Sequence, residues 1–512
     1  RLFVCWVAMV GLVMSGCASI DFDYPREESN ALMDTTDTYL GTKIALLSAD
    51  KPESGSGFYP LSDGIDALSV RLLLAERAER TIDVQYYLIK TDTTSLAFIR
   101  ALLRAADRGV RVRLLLDDVF TSGYDAGMAA LDSHPNFEIR IFNPFRRGAA
   151  GRVWSGLTDF GRINRRMHTK TFTVDNQVTV IGGRNIADEY FGAREDAKFG
   201  DLDVIGIGPI TAEVSEMFDS FWNHETALPV PAFAKMPDDP EAELDRLRQH
   251  LEEQFVVAQT SKYGEAVRDK VIDFIERPDA EIEWVPYQLV YDSPDKGVRS
   301  KDGPSVSIVE PLAEALQAAQ KEVLVVSPYF VPRKSGVRFL SELKARGVDV
   351  SIVTNSLAAN NQVTVHGGYA PSRKSLLRSG VRIYEVRPDA EVAGSEIVAA
   401  SGAKATLHTK AFLVDGRKVF IGSFNFDPRS AHLNTESGVI IESEEMAGIF
   451  RAAVDDALKK KTWELFLNED DKLRWRGYQD GREVIYVNEP ESTWFQRFVA
   501  GIIQLLPVKS QL

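Results

Sequence analysis

Met167-His168-Thr169-Lys170-Thr171-Phe172-Thr173-Val174-Asp175 recurs as Leu407-His408-Thr409-Lys410-Ala411-Phe412-Leu413-Val414-Asp415, 240 residues further on. The spacing beyond each copy repeats as well. His168, Lys170, Asp175, Gly182, Gly183 and Asn185 align with His408, Lys410, Asp415, Gly422, Ser423 and Asn425. One such match in 512 residues could be accidental. Two at identical spacing, each a strand-like run ending in a glycine turn, mark a duplicated molecule.

The residue types carry the chemistry. On a β-strand His-x-Lys puts both side chains on one face, because side chains alternate with period two. Each half then offers an imidazole, an ammonium and an asparagine amide. Two halves facing each other supply two imidazoles, one to attack phosphorus and one to protonate the leaving alkoxide. Two lysines and two amides would hold the non-bridging oxygens, whose charge grows in the transition state. No cofactor or metal is expected, since lysine stands where a second ligand would be.

Around the motifs the chain alternates helix and strand. In the first half, Asp66–Arg80 reads as a helix and Thr81–Leu88 as a strand. Ser95–Arg108 and Val110–Leu116 repeat the pair, Ile139–Phe142 and Leu202–Ile207 follow as strands, and Ile210–Trp222 as a helix. The second half repeats this plan. Pro311–Gln320 and Ser335–Arg346 read as helices, with another near Tyr369–Arg378. Glu322–Val326, Val348–Val353 and Val381–Glu385 read as strands. This order predicts an α/β sheet in each half. The charged stretch Asp238–Glu276 reads as a helical insertion, and Ile282–Tyr291 as a strand.

On these residues the chain resembles the phospholipase D superfamily, whose HKD signature the two motifs match, and within it the bacterial cardiolipin synthases, C type. Asp83-Val84-Gln85-Tyr86-Tyr87, Ser327-Pro328-Tyr329-Phe330-Val331-Pro332 and Leu505-Leu506-Pro507 support the likeness. The resemblance implies two pseudo-symmetric lobes, each a mixed sheet flanked by helices, with the active site where they meet. It also implies a carboxylate for each imidazole beyond the motif, at Asp201 (with Asp203 as rival) and Glu436, leaving Asp175 and Asp415 to hold strand-turn geometry. Gly183 departs from the pattern, since many members have Ser there. If that hydroxyl binds phosphate, only Ser423 can do so here. Tyr86, Tyr87, Tyr329 and Phe330 end the first strand of each half and could wall the pocket or pack the core.

The implied activity is phosphatidyl transfer, making cardiolipin from phosphatidylglycerol and a second phospholipid, with phosphatidylethanolamine a candidate. A phospholipase D hydrolase and a phosphodiesterase acting on nucleic acid are the rivals. Membrane phospholipids are the expected partners and an accessory protein is left open. No nucleic acid is expected, because Lys and Arg number 60 against 74 Asp and Glu, a net charge of −14, and nucleic-acid binders need a broad basic surface. Locally the sign reverses: residues 141–170 hold seven basic residues against Asp159 alone. Arg162, Arg165 and Arg166 are read as a region that gathers anionic headgroups.

At the N-terminus an apolar run ends in Met14-Ser15-Gly16-Cys17, which resembles a lipobox. Lipidation at Cys17 would make a membrane-anchored lipoprotein of the bacterial envelope, facing the periplasm. The expected domains are a signal peptide (1–17), a polar tether (18–58), a first lobe (59–230), a helical connector (231–300), a second lobe (301–465) and a C-terminal extension (466–512). In the extension, Trp494, Phe495, Phe498, Val499, Ile502, Ile503 and Leu506 fall at helical spacing. They predict an amphipathic helix, either docked on the core or lying in a membrane interface.

Overall fold

The computed structural model describes residues 20–52, 54–194, 197–276, 282–298, 306–389, 404–479 and 481–505. The lipobox and Cys17 lie outside the described residues.

Two large sheets carry the molecule. The first uses β1 (Ser56–Leu61), β2 (Thr81–Tyr86), β3 (Arg111–Asp117), β4 (Phe137–Phe142), β5 (Thr171–Val174) and β6 (Val178–Gly182). A short strand apart from it, β7 (Ala197–Gly200), precedes β8 (Asp203–Ile207), β9 (Ala227–Pro229) and β10 (Glu283–Val285). The second sheet uses β11 (Tyr287–Tyr291), β12 (Glu322–Val326), β13 (Asp349–Asn355) and β14 (Arg382–Val386). After β15 (Lys404–Leu407), which pairs with β7, it continues with β16 (Ala411–Val414), β17 (Lys418–Gly422), β18 (Ser437–Glu442), β19 (Thr462–Leu467), β20 (Leu473–Gln479) and β21 (Arg482–Tyr486).

The strand orders are β10-β1-β8-β6-β5-β2-β3-β4-β9 and β11-β18-β17-β16-β12-β13-β14-β19-β20-β21. Each sheet is mixed. β2, β3 and β4 run parallel, joined by the helices Thr93–Asp107 and Asp125–Asp132, while β5 returns antiparallel to β2. β12, β13, β14 and β16 repeat the arrangement. The duplication read from the two motifs is thus a duplication of topology.

The sheets meet face to face over one shared core. Ile181 and Val204 of the first lobe pack with Leu413, Ile421, Val439 and Ile441 of the second, all 0–1% exposed. Apolar faces that would otherwise be wet bury each other, and helix Pro209–Trp222 joins them through Phe218, Phe221 and Trp222.

Three expectations change. The stretch 282–291 is not one strand. β10 pairs with β1 of the first sheet and β11 with β18 of the second, with Pro286 between them. Proline has no N–H to donate to a ladder, so the chain changes sheets there. The presumed tether is structured from residue 20 onward. It carries the helix Tyr39–Ser48, and its carbonyls receive buried arginines: Arg113 donates to Ser29 at 2.7 Å and Arg140 to Glu27 at 2.5 Å. Its Ser/Asp/Thr composition reads as loop, and it is ordered by partners distant in sequence, among them these arginines, Asp219, which accepts the N–H of Ala31, and Asn223, which accepts that of Ser29. Finally, the C-terminal extension continues the second sheet through β20 and β21. The helical connector is present as Pro240–Gln259 and Lys262–Glu276.

The motif aspartates hold the sheets to their hairpins. Asp175, itself at φ 49°, accepts backbone N–H groups of Glu79, Arg80 and Thr81. Asp415, at φ 55°, accepts those of Gln320, Lys321 and Glu322. Each carboxylate therefore pins the start of the central strand, β2 or β12. Asp175→Asn replaces one acceptor oxygen by a donor facing backbone donors. It should destabilise by about 1–3 kcal/mol, and Asp415→Asn, whose side chain is more exposed, by less. Urea unfolding of both variants checks the order.

Candidate active site

Each catalytic loop is held by the other lobe. The regular strands begin only at Thr171 and Ala411, so the His-x-Lys triplets precede them. A strand from Met167 would need partners in its own sheet. Instead, His168 N–H donates to Thr435 O at 2.8 Å, and Thr435 N–H donates back to Arg166 O at 2.9 Å. On the other side, His408 and Thr409 N–H both donate to Gly200 O, at 2.7 and 2.9 Å, where β7 and β15 run parallel across the seam.

The side chains cross as well. His168 Nδ1 lies 2.8 Å from Glu436 Oε2, and His408 Nδ1 lies 2.5 Å from Asp201 Oδ2. Asp201 and Glu436 are the two carboxylates expected, but each serves the imidazole of the opposite lobe. A carboxylate at Nδ1 keeps the proton there, orients the ring and leaves Nε2 as the reacting nitrogen. Asp203, the rival, takes no part. It is bound to Arg71 and accepts the N–H of Arg184.

The carboxylates are supported unequally. Glu436 receives Ser423 Oγ at 2.5 Å and Ser430 Oγ at 2.8 Å, while its own N–H donates to Asp292. Ser423 is therefore engaged with Glu436 and not free for a phosphate. Asp201 receives the N–H of Leu202 at 2.9 Å. A Cβ on Gly183 would stand 2.2 Å from Asp201 Oδ1, so serine does not fit there with Asp201 as placed. A Cβ on Gly182 would meet Asp203 at 2.3 Å, and one on Gly422 would meet Ser437 O at 2.4 Å. Both turns are closed too tightly for any side chain.

Lys170 and Lys410 are buried and bond the carbonyls of His168 and His408 respectively. Lys410 Nζ also lies 2.8 Å from His408 Nδ1 and 3.2 Å from its Nε2. The amide Oδ1 atoms of Asn185 and Asn425 are buried without a partner, while Asn185 Nδ2 donates to the Tyr190 hydroxyl. Unpaired buried amide atoms are costly, so a polar ligand or water belongs there. Aromatic rings enclose the imidazoles. Tyr87 meets His168 edge-on at 4.9 Å, Tyr190 meets His408 edge-on at 5.0 Å, and Phe199 stacks on His408 at 5.4 Å. Tyr329 stands 6.5 Å from His408. Tyr86 and Phe330 instead point into the core, Tyr86 against Arg71. One residue of each pair thus faces the site and the other the core, although Tyr329 and Phe330 lie in the loop beyond β12 and not, as expected, at the strand's end.

The arginines before His168 are committed to the fold, which corrects their reading as free approach charges. Arg166 is 3% exposed and donates to Asp117 and to the carbonyl of Asn143. Asp117 also accepts the N–H of Met167 at 2.8 Å, so this pair fixes the chain entering His168. Arg162 is spent on Asp159, Asn143 and Pro144, and Arg165 on the carbonyls of Lys296 and His432. Asp117 and Asp292 escaped the sequence reading, since neither lies in the repeat and each acts through a backbone N–H.

Burial sets the protonation. It pulls His168 down to about 4 against the pull of Glu436, with Lys170 and Lys410 adding to the fall. It pulls His408 to about 4 too, with Lys410 and Lys170 adding. Each lysine thus acts on both imidazoles, as members of one site. Lys170 falls to about 7 and Lys410 to about 8, again through burial first. Burial alone would raise Asp201 and Glu436. Lys410 and His408 hold Asp201 below the usual range, and His168 and Lys170 do the same for Glu436. The pocket thus sets two neutral imidazoles beside two lysines, an arrangement suited to an anion. Among the described residues no group of three or more His, Cys, Asp and Glu is arranged to hold a metal ion.

Two lobes of one topology, exchanging carboxylates across a shared His/Lys/Asn pocket, define a phosphodiester-processing enzyme of phospholipase D architecture. Residues 73–222 and 312–457 match the family described as cardiolipin synthase, phospholipase D-like domain, and the chain belongs to that family. It is accordingly a phosphatidyltransferase of the phospholipase D superfamily. It is 40% identical over 458 residues to cardiolipin synthase C of Escherichia coli, across 88% of this chain and 95% of that one. It is 24% identical over 422 residues to cardiolipin synthase A of Proteus mirabilis, across 80% of this chain and 70% of that one. Among solved structures, the phosphatidylserine synthase of Haemophilus influenzae matches 92% of this chain and 99% of its own, at a TM-score of 0.55 and 13% identity, a likeness of fold.

Two outcomes follow. A short Nδ1–H···carboxylate bond gives a low-field proton resonance. Asp201→Asn should remove or shift that of His408 and leave that of His168, and Glu436→Gln the reverse. Loss of the same-lobe signal instead would contradict the crossed pairing. The second outcome is a stability profile. An unfolded histidine titrates near 6.5, whereas His168 and His408 titrate at about 4 when folded. Between about 4 and 6.5 the unfolded chain binds more protons, so stability must fall as the pH falls through that window. Thermal midpoints at pH 7 and 5 should differ, and the difference should shrink in the His168→Gln/His408→Gln double variant.

Proposed function

We propose that the protein makes cardiolipin from phosphatidylglycerol and a second phospholipid, through a covalent phosphatidyl-histidine. The single observation that carries this reading is the crossed pair of carboxylate-held imidazoles inside one lysine-rich pocket. In the first step His168 Nε2 attacks the donor phosphorus. The N–P bond forms, the bond to the headgroup oxygen breaks, and that oxygen takes a proton from His408. In the second step the hydroxyl of an acceptor phosphatidylglycerol gives its proton to His408 and attacks phosphorus as the N–P bond breaks. With phosphatidylglycerol as donor too, the products are cardiolipin and glycerol.

The unequal surroundings favour His168 as nucleophile. Lys410 Nζ stands over the His408 ring, 2.8 Å from Nδ1 and 3.2 Å from Nε2, where it competes with an electrophile but can return a proton. Burial keeps both imidazoles neutral near pH 7. An arriving phosphodiester anion favours their protonated forms, so one can act as acid while the other attacks. Lys170 and Lys410 would meet the phosphoryl oxygens, and Asn185 and Asn425 would do so through their Nδ2 donors, that of Asn185 leaving the Tyr190 hydroxyl to reach them. Tyr87, Tyr190, Phe199 and Tyr329 line the pocket with apolar surface, which disfavours water as acceptor and hence hydrolysis.

Approach to a lipid surface is consistent with two exposed apolar faces. The helix Trp494–Leu505 buries Ala500 and Ile503 against Gly367 and leaves Trp494, Phe495, Phe498 and Ile502 exposed. The helix Gly148–Thr158 and the turn after it expose Val153, Leu157 and Phe160. The helix is thus docked on the core by one side, and the exposed side is the one that would enter a membrane interface. Among the described residues no helix is long and apolar enough to cross a membrane. Attachment would come from acyl chains on Cys17, in the reading of a periplasm-facing lipoprotein.

Purified protein incubated with labelled phosphatidylglycerol, with and without phosphatidylethanolamine, should form labelled cardiolipin. His168→Ala and His408→Ala should each lose at least about 10²–10⁴-fold in rate. Intact-mass analysis after acid-free quenching should find a phosphatidyl adduct on His168. Phosphatidic acid as the only product, or near-normal turnover in either variant, would refute the mechanism.

A further inference from the structure

Beside the catalytic pocket the second lobe holds a separate cavity of about 290 Å³. Its walls are the helices Val309–Gln317 and Arg333–Ala345, through Leu312, Leu316 and Phe339, and its floor is the rings of Phe412, Phe424 and Phe426. The floor is rigid, because Phe412 meets both Phe424 and Phe426 edge-on at 6.3 Å. It is also tied to the active site. Phe412 lies two residues beyond Lys410, on the same side of the strand by alternation, and Phe424 and Phe426 flank Asn425. An engineered apolar cavity of about 150 Å³ stays dry and takes up benzene. A larger one has room for a run of methylenes.

The mouth has a different character. Arg333 and His432 line it and are exposed. Among the described residues no carboxylate pairs with Arg333. The charges bearing on His432 are Lys296 and Arg333, both positive. Asp427 also lines the cavity, but its carboxylate is turned to the N–H of Ser430 at 2.8 Å, capping the helix Pro428–His432. Arg333 opens its helix at φ 52°, with no side-chain cap on the first turn. Strained backbone of this kind persists where the surroundings hold it, often at ligand sites.

We propose that this cavity is a binding site for an anionic phospholipid, with one acyl chain among Leu312, Leu316, Phe339 and the three phenylalanines and the phosphate against Arg333 and His432. The site is distinct from the phosphate position between Lys170 and Lys410, and it would hold a lipid ready next to the reacting centre. An apolar chamber calls for a hydrocarbon chain, the Arg333 guanidinium with the His432 imidazole beside it as a neutral donor calls for an anionic head, and phospholipid supplies both. The inference rests on the reading that this enzyme acts on phospholipids.

The test uses phosphatidylglycerol and phosphatidylcholine, each with a photoreactive diazirine on one acyl chain, and the inactive His168→Ala protein, so that binding is read without turnover. Phosphatidylglycerol should label peptides from 309–317 and 333–345. Ala313→Trp, which fills the chamber, should cut that labelling at least about tenfold, as expected when a few methylenes lose their burial. Arg333→Glu should cut the labelling by phosphatidylglycerol severalfold and that by phosphatidylcholine little. Labelling that is indifferent to Ala313→Trp, or equal for both lipids and unmoved by Arg333→Glu, would overturn the proposal. In the active background, Ala313→Trp should keep its rate on a short-chain, soluble phosphodiester and lose activity on long-chain lipid. Unchanged activity on long-chain lipid would also overturn it. Loss of the short-chain rate would mean a damaged fold, and Leu316→Phe would then replace it in the labelling arm. Labelling as expected without cardiolipin formation by the wild type would sink the proposed function and leave the site standing.

Discussion

Everything at the reacting centre depends on an exchange across the seam. Each imidazole is positioned by a carboxylate, and by a backbone carbonyl, that belong to the opposite lobe. A carboxylate buried beside lysine and imidazole is tolerable only if its partners are in place, since an uncompensated buried charge costs several kcal/mol. The site therefore forms only when the two lobes meet. The shared apolar core beneath, from Ile181 and Val204 to Leu413 and Ile441, supplies the adhesion that keeps these charges opposed.

The remaining polar network extends this arrangement outward. Asp117 and Arg166 fix the chain entering His168, and Asp292 fixes the backbone of Glu436. Asp175 and Asp415 fix the far ends of the hairpins. The result is pre-organisation, in which donors are placed before any phosphate arrives and need little reorganisation during the reaction. The depressed imidazoles and lysines are the electrostatic cost of that placement, and an anionic substrate relieves it.

Much of this was legible in the chain. The repeated His-x-Lys spacing gave the duplication, and alternating periodicities located the strands and helices closely. β12 begins and ends where periodicity put it, and the helix expected at Ser335–Arg346 spans Arg333–Ala345. What escaped was long-range and polar. Nothing local says that Asp201 serves His408 rather than His168, because that depends on which lobe faces which. The arginines before His168 looked like surface charge, because their partners Asp117, Asn143 and Lys296 are distant in sequence. The segment before residue 58 looked unstructured because its order is supplied by side chains distant in sequence, among them the arginines of β3 and β4 and Asp219, Trp222 and Asn223. Pro286 was visible in the sequence, but its effect was not, since a proline within an apolar run does not announce a change of sheet.

The glycine at 183 has a wider bearing. An assembly of two identical half-chains could make the same crossed contacts, but its two imidazoles would be indistinguishable, and any change improving one would be imposed on the other. Joined in a single chain, the halves are free to drift apart. Glu436 leans on two serine hydroxyls while Asp201, pressed against a bare glycine, leans on a backbone amide. Within the single chain the twofold symmetry is thus broken at its most sensitive point, giving the molecule a left and a right.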